Sequence, residues 1–370
     1  MRAKHSILTV LSLGFVLLAT LATSAKAAQH VPLSQAAMRV GGILCAPGAA
    51  LAAEKRMLDA AIPQDQALPA AQTLDEDDYA SGFWTQMPTP EELAPPQSAP
   101  PPAEMPAGSL PIVSAHYAQG TTDIYLPCGN STVKNCTALP RAEVAAELMQ
   151  PLPFAIEANS PNPQVLIVHT HATETYQLTP DPWYSPDFTA RTTDMSLNMT
   201  SVGAAMAAEL NAAGINTVQD TTLHDYPSYT ASYARSNETV RKYLQQYPSI
   251  KVVLDVHRDA IQKDDGTRVK PVTEIDGKSV AQVMLICGAN KNGNLPNCKQ
   301  NLRFASRWQS EMEALYPGFT RPFLFDYRYY NQDLSTGSLL IEVGGHANTL
   351  EEATAAGVYA ARALAKTLLG

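Results

Sequence analysis

From residue 112 onwards, short apolar runs alternate with longer segments of helical periodicity. The short runs predict buried strands, at Gln164–Val168, Ile215–Val218, Ile250–Val256, Val280–Cys287 and Ser338–Val343. The longer segments predict helices, at Pro140–Met149, Met199–Ala213, Ser236–Tyr247, Asn301–Tyr316 and Thr349–Leu369. This alternation is typical of an α/β fold with a mainly parallel central sheet flanked by helices.

The first residues have the pattern of a secretory signal. Arg2 and Lys4 precede the apolar run Ile7–Ala22, and a small-residue cleavage motif ends at Ala27. We therefore predict a signal peptide over residues 1–27, with an uncleaved membrane anchor as the alternative. Both interpretations place the rest of the chain outside the cytoplasm, secreted or anchored at the envelope. No later run is long and apolar enough to cross a bilayer, so membrane contact is expected only through this segment.

Residues 28–111 differ in composition from the segments on either side. An Ala-rich stretch is followed by acidic residues, and proline is dense between Met87 and Pro111. Proline cannot occupy a helix interior or a central strand, so this region is best interpreted as a low-complexity, semi-rigid spacer. The folded domain is then expected over residues 112–370.

Four of the five cysteines form two pairs that are close in sequence: Cys128 with Cys136, and Cys287 with Cys298. Each pair encloses a Gly/Asn/Lys-rich stretch that is typical of a surface loop. Neither pair has zinc-finger spacing, and outside the cytoplasm such pairs favour disulfides. Two loop disulfides are therefore predicted, with Cys45 left over.

Charge and motif content disfavour several classes of function. The net charge of −9 argues against a nucleic-acid partner, which would need a basic patch. No G-x-S-x-G motif is present, which disfavours a Ser-His-Asp hydrolase. Because the cysteines pair off in loops, a cysteine nucleophile is also disfavoured.

Histidines and carboxylates cluster where the predicted strands end. In parallel sheets, ligands bind beyond the carboxyl ends of the strands. A catalytic zinc takes three protein ligands and leaves a position for water, and a neighbouring carboxylate can then act as general base and acid. The pattern therefore predicts a zinc site among His169, His171, Glu174, His257, Arg258, Asp259, Glu342 and His346.

Five strings occur in a specific order across roughly residues 160–365: VLIVHTHATETY, SYARSNETV, LDVHRDA, the block Asn301–Ala305 and IEVGGHANTLEEA. Together they resemble the stage II sporulation protein P family. That family is similar to the zinc-dependent N-acetylmuramoyl-L-alanine amidases of the amidase-3 type. The resemblance implies an amidase-3-like fold and a zinc enzyme that removes stem peptides from peptidoglycan, with endopeptidase activity as well.

The resemblance also implies which residues bind the metal. His257 matches the second zinc histidine of the amidases, and His171 lies where they place the first. His169 is two residues away and would share its side of an extended segment, although only one of the two need bind metal. The acidic ligand matches either Glu174 or Asp194, and both remain candidates.

Further roles follow for the remaining strand-end residues. Glu342 matches the glutamate that acts as general base in the amidases. Arg258 and Asp259 would orient the zinc histidine or bind substrate carboxylates, with a local salt bridge as the structural alternative. His346 would contact substrate or only support the loop before the last helix.

The family resemblance implies peptidoglycan as substrate, and stage II sporulation proteins D and M as partners at the engulfing septum. One alternative is a zinc carboxypeptidase or endopeptidase that acts on wall peptides through the same ligands. A non-enzymatic alternative is an inactive peptidoglycan-binding protein. The cysteine pairs and the long Pro/Ala-rich front end depart from the family pattern.

Overall fold

Two β-sheets organise residues 105–370, the part of the chain that the computed structural model describes. Its strands are β1 (Leu110–Ala115), β2 (Tyr125–Cys128), β3 (Ser131–Asn135), β4 (Val165–Val168), β5 (Trp183–Tyr184), β6 (Thr217–Gln219), β7 (Val252–Asp259), β8 (Arg268–Ile275), β9 (Lys278–Ala281), β10 (Val283–Gly288), β11 (Phe323–Asp326) and β12 (Gly337–Gly345).

The larger sheet has eight strands in the order β2-β3-β11-β10-β12-β7-β4-β6. Its pairs are parallel except for β2 with β3 and β10 with β12. Every residue of β4, β7 and β12 is buried. Burial on both faces explains why these segments are near-continuous apolar runs rather than alternating patterns.

Helices cover this sheet, and polar caps fix where two of them begin. They are α1 (Arg141–Leu148), α2 (Met199–Ala212), α3 (Ser232–Gln246), α4 (Cys298–Leu315) and α5 (Leu350–Leu369), with a 3-10 turn at Gln332–Leu334. Asn198 accepts a hydrogen bond from the backbone of Thr200 at the start of α2, and Thr349 and Glu352 form a reciprocal capping box at α5. Both helices pack their apolar faces into the main core.

The smaller sheet has four strands in the order β5-β1-β8-β9. Strand β8 pairs in parallel with β1 and antiparallel with β9. Because β8 follows β7 directly in the chain, it returns past the carboxyl end of the central strands. This sheet therefore supplies side chains to that edge of the larger sheet.

The predicted α/β class and mainly parallel central sheet are confirmed. The predicted helices and strands are present, except that the predicted strand Val280–Cys287 is divided between β9 of the smaller sheet and β10 of the larger sheet. Strands β7 and β12 run further than expected, to Asp259 and Gly345. Strand β11 was not predicted, and neither were the smaller sheet and the β2–β3 hairpin. Their strands mix polar, charged and proline residues, as in the sequence RVKPVTEI of β8, so they lack a clear apolar pattern.

The predicted signal peptide, most of the predicted spacer and Cys45 lie outside the described residues. Within residues 105–370, no helix has the length and apolar character needed to cross a membrane.

The prediction of two loop disulfides is wrong. Cys128, Cys287 and Cys298 carry free thiols. Cys128 pairs with Ser131 at the turn of the β2–β3 hairpin, whereas Cys136 follows the other end of β3. Several residues of extended strand thus separate the first pair, further than the roughly 7 Å that a disulfide can bridge. Cys287 is buried in β10 rather than exposed in a loop, and burial raises its pKa well above the usual value.

Candidate active site

Three adjacent parallel strands bring the predicted site residues together. Strand β7 lies between β12 and β4, and His257 is in register with Glu342. The chain turns after Val168 at the end of β4, which places His171 and Glu174 beside the same edge. Residues far apart in sequence therefore meet because their strands end side by side.

A cavity of about 350 Å³ opens at this edge. Its wall also includes Tyr229 and Tyr233 from the segment around the start of α3, and Arg268 from β8. The predicted site residues that line it are His171, Glu174, His257, Arg258, Glu342 and His346.

His257 lies between two carboxylates. Its Nδ1 is 3.8 Å from Oε2 of Glu174, and its Nε2 is 2.8 Å from Oδ1 of Asp255. The second contact is an ion pair whose N–H is not aligned for a hydrogen bond. Burial opposes the charged imidazolium, but the carboxylates outweigh it and raise the pKa of His257 to about 9.

Asp255 is held as a carboxylate. Burial favours its neutral form, but His257 and hydrogen bonds from the backbone N–H and the hydroxyl of Thr170 outweigh burial and lower the pKa of Asp255 to about 2. Its negative charge is thus available to orient the imidazole ring of His257.

His171 sits in an aromatic setting. Its ring stacks on Tyr229 with centroids 4.5 Å apart, and meets the ring of His257 edge-on at 5.2 Å. The Tyr229 hydroxyl lies 3.0 Å from Nε2. Burial, followed by the charges of His257 and Arg191, lowers the pKa of His171 well below its usual value. His171 is therefore a neutral imidazole, which is the form that ligates metals.

Glu342 presents a buried carboxyl oxygen to this cluster. Its Oε2 has no hydrogen-bond partner among the described residues. Burial, together with the charges of Asp259 and Glu174, raises the pKa of Glu342 well above the usual value. The pairing of β12 with β7 shifts register directly after Glu342, and such bulges commonly re-aim side chains beside active sites.

Arg258 and Asp259 support the cavity wall from behind. Arg258 donates from Nε to the carbonyl of Thr175 at 2.6 Å and from Nη2 to that of Ala190 at 2.8 Å. Asp259 is paired at 2.7 Å with Nη1 of Arg321. These bonds tie both side chains to the surrounding fold, which favours the structural alternative for Arg258 and Asp259.

The family model described as stage II sporulation protein P matches residues 121–365. This chain belongs to the stage II sporulation protein P family. A curated relative, stage II sporulation protein P of Bacillus subtilis (strain 168), is 33% identical over 199 residues, which are 51% of this chain and 47% of that protein. The chain thus matches about half the length of that relative. The family resemblance predicted from the sequence strings is confirmed.

Solved structures similar to this family member include cell-wall amidases of low identity. The N-acetylmuramoyl-L-alanine amidase AmiC2 of Nostoc punctiforme is 12% identical, with a TM-score of 0.32, and covers 56% of this chain and 95% of its own. An N-acetylmuramoyl-L-alanine amidase from Clostridium difficile 630 is 14% identical, with a TM-score of 0.33, and covers 57% of this chain and 96% of its own.

Two predicted ligands are placed away from the cavity. His169 is fully buried, with Nδ1 2.9 Å from the carbonyl of Val256 and Nε2 2.9 Å from the amide of Gln219. The expectation that it shares a side with His171 fails because the chain leaves the strand at Val168 and turns. Asp194 is exposed and accepts hydrogen bonds from Ser196. The structure thus favours His171 and Glu174 among the alternatives.

His346 lines the cavity, and neither of its ring nitrogens has a partner among the described residues. The start of α5 is capped by Thr349 instead. The ring of His346 therefore makes no hydrogen bond to the described residues that would support the loop before α5.

Sequence reasoning missed the two tyrosines and Arg268. Tyr233 lies inside the string SYARSNETV, which could have marked it, whereas Tyr229 lies in the loop just before. Arg268 belongs to the unpredicted smaller sheet, so no pattern placed it near the strand ends.

The donor chemistry at the cavity fits a zinc ion. No group of three or more His, Cys, Asp or Glu side chains within residues 105–370 is already gathered as a metal site. However, Nδ1 of His257 and Oε2 of Glu174 face each other at 3.8 Å, close to the spacing of about 3.4 Å expected for two ligands of a tetrahedral zinc. The neutral ring of His171 adjoins that of His257. Two imidazoles and one carboxylate are a common catalytic zinc set.

Proposed function

We propose that this protein is an exported zinc-dependent peptidoglycan hydrolase that acts as an N-acetylmuramoyl-L-alanine amidase. The observation that carries the proposal is the unpartnered buried carboxyl oxygen of Glu342 beside His171, Glu174 and His257. Membership of the family and its resemblance to the amidase-3 enzymes support the wall amide as the substrate. The N-terminal signal pattern supports an extracytoplasmic location.

His171, Glu174 and His257 would hold the zinc. Bound zinc supplies Lewis-acid chemistry, because it polarises the scissile carbonyl and lowers the pKa of water. The carboxylate of Asp255 forms an ion pair with the far nitrogen of His257 and would so fix the ring with Nδ1 toward Glu174.

Glu342 would move the proton. Its Oε2 takes a proton from the attacking water and delivers it to the nitrogen of the departing peptide, so that a carboxylic acid and an amine are formed. Burial raises its pKa, which makes the ionised carboxylate a stronger base than a surface glutamate. His257 and Arg321 favour that ionised form.

The context of the family supports peptidoglycan as the macromolecular partner. Stage II sporulation proteins D and M are proposed as further partners in wall remodelling during engulfment. Endopeptidase activity on peptide cross-links would use the same cavity and ligands.

The substitution Glu342→Gln tests the proposed proton carrier. The full chain, supplied with zinc, should release soluble products from purified peptidoglycan, and the variant should release them at least about 100-fold more slowly, because a positioned general base contributes roughly 10²–10⁴-fold. Zinc content by elemental analysis should be unchanged, since Glu342 is not a proposed ligand. Glu274→Gln, an exposed site on β8, is the matched control. Full digestion by Glu342→Gln would remove this residue from the mechanism.

A further inference from the structure

Arg268 carries a positive charge on the cavity wall without an acidic partner. It is buried, and its guanidinium lies 3.6 Å from the ring centroid of Tyr184. Nε is 3.4 Å from Oε1 of Gln262, and Nη2 is 3.3 Å from the carbonyl of Phe188, so both bonds are long. Nη1 has no hydrogen-bond partner within the described part of the chain. None of the ion pairs found there includes Arg268.

The other arginines on the wall are committed to the protein. Arg191 pairs with Asp225 at 2.8 Å and approaches Glu174 at 3.8 Å. Arg258 donates to backbone carbonyls from Nε, Nη1 and Nη2. Arg268 differs from both because its charge is neutralised by no carboxylate in residues 105–370.

An unpaired buried charge is costly to a folded protein. A guanidinium keeps its proton, so it cannot relieve the cost of burial by neutralising itself. Buried charges are normally paired, and a buried donor left without a partner destabilises the folded protein. Stacking on Tyr184 explains why the side chain is held in place, but not why Nη1 is left free.

The surroundings of Arg268 suit an anion. His346 on the same wall has no partner at either ring nitrogen. Burial, followed by the charges of Arg258 and Arg268, keeps it neutral by lowering its pKa. A neutral imidazole can donate one hydrogen bond to an anion beside the arginine. A cavity of about 350 Å³ has room for a short peptide segment.

We propose that Arg268, with His346 on the wall of the same cavity, binds a free carboxylate of the wall peptide next to the scissile amide and so selects acidic over amidated peptides. This inference rests on the proposed function for the identity of the peptide. Arginine suits the task because its planar fork matches a carboxylate. The role belongs to Arg268 rather than to Arg258, because each guanidinium nitrogen of Arg258 already donates to a backbone carbonyl.

Binding of two matched compounds tests the proposal. The probes are N-acetylmuramoyl-L-alanyl-D-glutamate and the same compound with both glutamate carboxylates as amides. Titration calorimetry uses the zinc-supplied full chain carrying Glu342→Gln, so that the probes stay intact. The acid should bind at least about tenfold more tightly than the diamide, as expected for a charge-assisted hydrogen bond. Adding Arg268→Gln should bring the ratio of the two dissociation constants, diamide over acid, close to one.

Two further variants control for folding and for general charge. Lys263→Gln removes an exposed positive charge from the same hairpin and should keep the preference. Arg268→Lys keeps the charge but loses the planar fork. Its preference for the acid over the diamide should therefore lie between those of the chain with Arg268 intact and the chain carrying Arg268→Gln. Thermal unfolding of each variant identifies one that fails to fold. The comparison of acid with diamide on the Arg268-intact chain needs no variant at that site.

The outcomes separate this inference from the proposed function. Equal binding of the two probes, no binding of either, or a preference that survives Arg268→Gln overturns the inference. Cleavage of both probes at equal rates by the chain with Glu342 intact would support the amidase and overturn the carboxylate site. A preference that depends on Arg268 without cleavage of either probe would support the site and count against the amidase.

Discussion

At the scale of single residues, the site depends on how His257 is held between Asp255 and Glu174. One nitrogen faces each carboxylate, and the ring is buried, so it has little freedom to rotate. A metal that binds Nδ1 must displace a proton, since the pKa of His257 is about 9 in the metal-free protein. Asp255 remains to stabilise the N–H on the opposite side of the ring.

The substitution Asp255→Asn should weaken zinc binding by about 10- to 100-fold, the usual effect of losing the partner of a ligating histidine. Zinc affinity is measured by competition with a chromogenic chelator, independently of activity. Asp265→Asn, on an exposed loop, should leave the affinity unchanged. An unchanged affinity in Asp255→Asn would show that the ring of His257 is oriented by other contacts or does not bind the metal.

At the scale of elements, the turn after β12 shapes the site. Gly344 has φ +65°, and a Cβ there would lie 2.7 Å from Oδ1 of Asn348 and 2.8 Å from Cβ of Ala281. Both a left-handed backbone and a close approach therefore require glycine. Because Gly344 follows Glu342 closely, the same turn helps to set the direction of the side chain that we propose as the general base.

Gly344→Ala should destabilise the fold by about 2–5 kcal/mol, because the left-handed conformation costs roughly 1–2 kcal/mol and overpacking adds about 1–3 kcal/mol. Gly277→Ala is the matched control, since Gly277 also has a positive φ but open space around its Cβ position. Urea unfolding gives both free energies. Equal losses of unfolding free energy in the two variants would show that the contacts with Asn348 and Ala281 add nothing to the cost of alanine at position 344.

The capping box of α5 makes stability depend on pH. Burial of Glu352 favours its neutral form, but Lys270 at 3.0 Å and the bonds from Thr349 and Ser279 outweigh burial and lower the pKa of Glu352 below its usual 4.5. A lowered folded pKa means that this stability is present above the unfolded pKa and is lost as the pH falls through the folded value.

Glu352→Gln should lower the free energy of unfolding by about 1–2 kcal/mol at pH 7 through loss of the charged hydrogen bonds. The difference from the wild type should shrink as the pH falls below about 4.5. The adjacent exposed Glu351→Gln serves as control and should change stability little. A difference that stays constant with pH would contradict the charged role of Glu352.

At the scale of the whole molecule, the central sheet was predictable because β4, β7 and β12 are buried on both faces and therefore apolar throughout. Their strand ends led directly to His171, His257 and Glu342. The smaller sheet was not predictable, since its polar strands are defined by pairing partners distant in sequence.

The same limits explain the individual errors. His169 and His171 could not be separated by alternation, because alternation ends where β4 does. The position of Arg268 at the cavity could not be predicted, because its strand belongs to the smaller sheet. The paired cysteines suggested loops, whereas one lies in a hairpin strand and another in the core strand β10.

The central claim is that the cavity cleaves the amide between the glycan and its stem peptide. The most direct measurement is mass spectrometry of the products that the zinc-supplied full chain releases from intact peptidoglycan, with a chelator control. We predict free stem peptides and peptide-free glycan, lost on chelation and restored by zinc. Glycan that keeps all its stem peptides after digestion would contradict the claim.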